Sequence, residues 1–116
     1  MPHLIVECSK NAVVHFAMRE LLADLHHAID GLHNIALERV KTRAYVADDF
    51  IVGADGQTAA FMHINLKLLP GRSDGQKSEL SAILQEKALA YLMPKAEGRV
   101  ILTVEISELH PASYRA

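Results

Sequence analysis

Hydrophobic and polar positions alternate along four stretches of the chain, and the elements follow from that pattern. From His3 to Cys8, Leu4, Val6 and Cys8 fall on one side and His3, Ile5 and Glu7 on the other, the period of two expected of a strand. The stretch begins one residue after Pro2, where a proline costs a strand little. Ser9 and Asn11 are candidate helix caps. Val14, Met18, Leu21, Leu22, Leu25, Ala28, Ile29 and Leu32 then recur at helical spacing, and Gly31 is placed to close that helix. A second strand is expected over Arg39 to Val46, with Val40, Thr42, Ala44 and Val46 on one face and Arg39, Lys41, Arg43 and Tyr45 on the other. Ala54-Asp55-Gly56-Gln57 reads as a turn, which makes Phe50 to Val52 a candidate short partner strand.

The third strand spans Ala60 to Leu68, with Met62, Ile64, Leu66 and Leu68 opposed to Phe61, His63, Asn65 and Lys67. Ser73 and Gln76 have the spacing of a capping box. A second helix follows, with Leu80, Ile83, Leu84, Ala88, Tyr91 and Leu92 as its apolar stripe and Pro94 and Gly98 as its stop. The last strand is expected over Arg99 to Leu109, before a short polar tail.

The order is therefore β-α-β followed by β-α-β, a structural repeat with no linker, and we read residues 1–116 as one domain. The fold class is α+β: two β-α-β units forming a four-stranded sheet with two helices on one face. The ferredoxin-like βαββαβ arrangement has the same element order and is the rival. Two helices leave the other face uncovered. It carries Ile5, Phe61 and Ile101 among Arg39, Lys41, Arg43, His63, Lys67 and Glu105, a mixture suited to packing against another subunit.

Composition narrows the class. Of 116 residues, 50% are hydrophobic and 22% charged, enough for a packed core and too apolar for a disordered segment. A chain this short has little room for a large internal cavity, so a site at a subunit joint is expected. Twelve Lys and Arg against fourteen Asp and Glu give a net charge of −2, which argues against a nucleic-acid partner. No apolar run is long enough to span a bilayer, and the N-terminus lacks the basic start of a signal peptide. With a single cysteine, Cys8, the chain reads as a soluble cytoplasmic protein without an internal disulfide.

Candidate chemistry is sparse. Pro2 follows the initiator Met1, and a small second residue favours methionine removal. Pro2 is then either simply a common second residue or a free secondary amine at a strand end. Apolar surroundings and nearby cations would keep such an amine neutral, and a neutral amine is a general base. Arg72, between a strand and a helix start, is a candidate carboxylate fork or a solvated turn residue. Arg39, Lys41 and Arg43, read on one strand face, need anionic partners, either Glu7 and Glu105 or an anionic substrate. Among the seven histidines, His26 or His27 with Asp30 has ligand-like helical spacing but no third ligand, so no metal site is expected. Cys8 reads as a buried small apolar residue.

Several short motifs carry a resemblance. Pro2-His3-Leu4-Ile5-Val6-Glu7-Cys8-Ser9, Ala54-Asp55-Gly56-Gln57, Ala60-Phe61-Met62-His63, Leu66-Lys67, Gly71-Arg72-Ser73 and Glu105-Ile106-Ser107-Glu108-Leu109-His110-Pro111 together resemble the 5-carboxymethyl-2-hydroxymuconate Δ-isomerase family, a branch of the tautomerase superfamily. The likeness runs in order over nearly the whole chain. It implies a homotrimer with sites between subunits and no cofactor or metal. It also implies an amino-terminal proline that shuttles a proton in keto–enol isomerisation of a ring-opened tricarboxylate from homoprotocatechuate breakdown.

Two family arginines bind or polarise that substrate. One falls on Arg72 and the other on Lys41, with Arg43 matching a further arginine. The resemblance thus makes Pro2, Arg72 and Lys41 catalytic and Arg39 and Arg43 substrate-binding. Because a lysine lacks the guanidinium fork, the second cationic role falls either to Lys41 or to Arg39 or Arg43. A smaller enol acid as substrate, or a non-catalytic trimeric binding protein of the same fold, are the other readings.

Overall fold

In the computed structural model, residues 1–92 and 99–116 are described. The expected helix stop at Pro94 and Gly98 lies outside them. The strands are β1 (His3–Ser9), β2 (Lys41–Ala47), β3 (Ala60–Leu68) and β4 (Val100–Glu108); the helices are α1 (Met18–Ala28) and α2 (Asp74–Leu92). They form one four-stranded sheet in the order β2-β1-β3-β4. β1 runs parallel to β2, β3 parallel to β4, and β1 antiparallel to β3 at the centre. Each β-α-β unit therefore pairs its own two strands directly. That excludes the ferredoxin-like alternative, whose split β-α-β units place another strand between them.

Register explains the two faces. Leu4 is level with Thr42 and Leu66, and Val6 with Ala44 and Ile64. The alternation of β3 is complete, with Ala60, Met62, Ile64, Leu66 and Leu68 buried and the residues between them part-exposed. Against this face lie Leu21, Leu25 and Ile29 of the first helical segment and Leu80, Leu84, Ala88 and Leu92 of α2. The α2 residues recur every fourth position, so they stack along one stripe of the helix. The helices also pin each other. The Tyr91 hydroxyl donates to the Asp24 carboxylate, which pushes the phenol up to about 12, and the Tyr91 ring meets Phe16 edge-on.

The largest departure from the sequence pattern is the first helix. Residues Lys10–Val13 form a 3-10 turn, and α1 begins only at Met18. The expected caps are engaged elsewhere. Ser9 Oγ accepts the Phe61 amide at 3.0 Å, and Asn11 Nδ2 donates to the Ala59 carbonyl at 3.0 Å. Both side chains bond the start of β3, so the chain cannot coil directly into the helix, and Val14 is left 67% exposed. Phe50 to Val52 is not a strand. Val52 is tied into the Asp55-Gly56 turn by its amide to the Gly56 carbonyl, and Phe50 packs edge-on against Phe61. Arg39 is not on β2 either, because Leu37–Arg39 is a 3-10 turn and the strand starts two residues later.

The capping box is formed reciprocally. The Gln76 amide donates to Ser73 Oγ at 3.1 Å and the Ser73 amide to Gln76 Oε1 at 3.0 Å. Replacing Ser73 by Ala is expected to cost about 1 kcal/mol of stability, read as a lowered midpoint in denaturant unfolding.

Candidate active site

The antiparallel pairing of β1 with β3 brings the N-terminal end of one beside the C-terminal end of the other. Pro2 is buried immediately ahead of β1, and the Lys41 amide donates to its carbonyl at 3.1 Å. That bond continues the β1–β2 ladder by one step and fixes the terminus at one end of the central strands. Leu68 and Leu69 end β3 on the other side. The 3-10 turn before β2 brings in Glu38 and Arg39, and the loop after α1 supplies Asn34 and Ala36. These residues, with Met1 and Arg72, line a cavity of about 250 Å³.

Arg72 reaches this cavity from the turn between β3 and α2. Gly71, at φ 132°, adopts a backbone conformation that a side chain would strain. The Arg72 guanidinium is held from behind: Nε donates to the His33 carbonyl at 2.9 Å and Nη1 to the Leu69 carbonyl at 3.4 Å. The capped start of α2 follows, adding the positive end of a helix dipole to the same corner.

The electrostatics at the terminus match this geometry. The Met1 amine is lowered from its ordinary value, first by burial and then by the positive charges of Arg39, Lys41 and Arg72. Arg39 and Arg72 line the cavity with Pro2. Lys41 is near enough to act through its field, but its Nζ turns to the Arg39 carbonyl at 3.0 Å and does not line the cavity wall. Arg43 lies further along β2 on the uncovered face, with Nη1 3.2 Å from His3 Nδ1. His3 is lowered by burial and by Arg43, so its ring is neutral at pH 7. It then accepts from Arg43 at Nδ1 and donates from Nε2 to the Tyr114 hydroxyl at 3.0 Å.

Of the three cations read together on one strand face, Arg39 leaves the strand for the cavity wall, while Lys41 and Arg43 stay two residues apart on β2. Glu105, one of their candidate partners, instead accepts from Asn65 Nδ2 at 3.3 Å. Glu38, Asn34 and the His33 carbonyl were not singled out from sequence. The charged pair Glu38-Arg39 was visible there, but its place in a turn rather than a strand was not.

Other candidates lie elsewhere. His26 Nδ1 is 2.6 Å from Thr42 Oγ1 and joins α1 to β2. Burial pushes the Cys8 thiol up to about 11, which leaves it a poor nucleophile. Among the described residues, no group of three or more His, Cys, Asp or Glu side chains could hold a metal ion, and no helix is long and apolar enough to cross a membrane. A second cavity of about 260 Å³ is lined by Asn11, His15, Phe16, Thr58 and Tyr91 among others. Its described lining carries no Lys or Arg, whereas Arg39 and Arg72 line the cavity at Pro2.

Comparison with known proteins identifies the family. The profile of the 5-carboxymethyl-2-hydroxymuconate isomerase family matches residues 2–116. The chain is 32% identical over 113 residues to the 5-carboxymethyl-2-hydroxymuconate Delta-isomerase of Escherichia coli, covering 96% of this chain and 89% of that protein. The crystal structure of a 5-carboxymethyl-2-hydroxymuconate isomerase from Deinococcus radiodurans R1 superposes with a TM-score of 0.90 at 25% identity, covering 99% of this chain and 87% of that one. A structure described as a fused 4-OT wild-type symmetric trimer shares the fold at a TM-score of 0.68 and 19% identity, over 97% of this chain and 91% of that one. With a family match that begins at Pro2 and runs to the last residue, the chain belongs to the 5-carboxymethyl-2-hydroxymuconate isomerase family.

Proposed function

We propose that this protein catalyses the keto–enol isomerisation, a 1,3-proton transfer, of 5-carboxymethyl-2-hydroxymuconate or a similar 2-hydroxydienoate acid of aromatic catabolism. The observation that carries this reading is the convergence of buried Pro2 with Arg39 and Arg72 on one cavity. The amine of Pro2, freed when Met1 is removed, is the general base. It takes the enol proton and returns a proton to carbon of the conjugated chain. Arg72 and Arg39 hold the carboxylates and the oxyanion that develops as the proton leaves. Lys41 strengthens the positive field, while Arg43 acts from the uncovered face through His3.

The same cations give the reaction its pH dependence. The burial and positive charge that lower the Met1 amine below its ordinary 8.0 act on a Pro2 amine in the same corner. Only the unprotonated amine is a base. kcat/KM is therefore expected to rise with pH through an amine pKa lowered from that of an exposed N-terminal proline, and to fall away as the amine protonates at lower pH. A pH–rate profile checks this, and a limb centred at or above the value of an exposed N-terminal proline would contradict it.

Glu38 on the cavity wall favours a second reading, in which the preferred substrate is a smaller enol acid with fewer negative charges. Steady-state assays over mono-, di- and tricarboxylate enols separate the two. The first reading expects the highest kcat/KM with the tricarboxylate, and the second with a mono- or dicarboxylate. Absence of turnover with all of them would leave a non-catalytic binding protein.

We also propose that the chain works as a homotrimer in the cytoplasm. Support comes from the sheet face that the helices leave uncovered, from the exposed Tyr45 and Val46 on edge strand β2, and from the symmetric trimer that shares the fold.

A further inference from the structure

Arg72 is held by a loop whose backbone is unusual. His33, at φ 45° and ψ 47°, and Asn34, at φ 65°, are both left-handed, a conformation that non-glycine residues adopt only when their surroundings enforce it. This geometry turns the His33 carbonyl onto Arg72 Nε at 2.9 Å, while the next residue, Asn34, lines the cavity. The His33 side chain points the other way. Its Nε2 is shielded from solvent and lies 3.3 Å from the Glu79 carboxylate, an ion-pair approach rather than an aligned hydrogen bond. Glu79 belongs to α2, the helix that begins two residues after Arg72. A closed circuit results: Arg72 leads into α2, Glu79 of α2 holds the His33 ring, and the His33 carbonyl holds Arg72.

We propose that Glu79 and His33 are positioning residues for Arg72. Their contact fixes the left-handed loop, the loop presents one carbonyl to Nε, and the guanidinium is thereby oriented with its remaining donors available to a substrate carboxylate. A guanidinium is worth most to a carboxylate when its planar fork is held in advance, so the circuit acts on binding through Arg72 alone. The inference rests on the isomerase reading only for its kinetic readout.

The test is a double-mutant cycle on the full chain, with an independent spectroscopic readout. Glu79 is 58% exposed at its side chain, so Glu79→Ala is expected to fold. It should lower kcat/KM about three- to fivefold, mostly through KM, as befits a part-exposed pair. Glu79→Gln keeps the length of the side chain but not its charge and, since the contact is an ion-pair approach, should recover little of the loss. In an Arg72→Ala background, Glu79→Ala should cause no further loss. Hydrogen exchange at the Arg72 Nε–H, followed by nitrogen-15 NMR, should be slow in the parent protein and faster in Glu79→Ala. Equal losses with and without Arg72, or unchanged Nε–H exchange, would overturn the inference and leave the isomerase reading intact. If the parent protein shows no isomerase activity, that reading fails, and the Nε–H exchange still decides whether Glu79 positions Arg72.

Discussion

A chain that keeps Met1 is expected to lose about 10²–10⁴-fold in kcat/KM relative to one that begins at Pro2. With Met1 attached, the Pro2 nitrogen is part of a tertiary amide. Its lone pair is delocalised into the carbonyl, so it cannot accept a proton at neutral pH. Met1 also lines the cavity, so its retention removes space as well as the base. The fold should be indifferent to this change. Pro2 contributes its carbonyl to the Lys41 amide, and that bond is the same in both forms. The comparison therefore isolates chemistry from stability. It can be made with a short N-terminal extension that resists processing, with intact mass confirming each terminus and a thermal melt confirming equal folding. Equal activity of the two forms would remove Pro2 from the mechanism.

Replacing Arg72 by Ala is expected to lower kcat/KM by about 10²–10³-fold, the scale seen when a preorganised donor to a developing oxyanion is deleted. The side chain sits at the cavity, and its loss gives up two bonds to backbone carbonyls, those of His33 and Leu69. Arg72→Lys should recover only part of the loss, because an ammonium restores the charge but not the planar fork. Lys41→Ala should be much milder, since its Nζ is directed to the Arg39 carbonyl and away from the cavity wall. Steady-state kinetics on the three variants give the ranking. A Lys41 effect as large as that of Arg72 would assign the second cationic role to Lys41 rather than Arg39.

Sequence reading succeeded where one local force dominated. The alternation over Ala60 to Leu68 is a complete two-faced pattern, and β3 occupies those same residues because each alternate side chain is buried under the helices. Ser73 and Gln76 formed their capping box because both ends of that motif are local. It failed where a side chain had a distant competitor. Ser9 and Asn11 looked like helix caps, yet both bond the start of β3, some fifty residues away in the chain, and the helix begins late. Arg39 alternated correctly with Lys41 and Arg43, but the Leu37–Arg39 turn takes it off the strand and into the cavity wall.

The candidate site was legible to different depths. Pro2 and Arg72 stood out through motifs that a family shares, and the match over residues 2–116 upholds that resemblance. Asn34 and the His33 carbonyl were not legible. Their part depends on two left-handed residues with no glycine to announce them. Glu38 is one of fourteen acidic residues, and nothing local distinguishes it. The net charge of −2 hid the concentration of Arg39, Lys41 and Arg72 around one terminus, because charges distant in sequence cancel in a sum but not in space.

The Pro2 amine is the proposed base. Its most direct test is a nitrogen-15 titration of that amine in a chain shown by mass to begin at Pro2, set against the pH dependence of kcat/KM in the same sample. One midpoint is expected for both, below that of an exposed N-terminal proline. An amine that titrates at a pH where the rate does not change would contradict it.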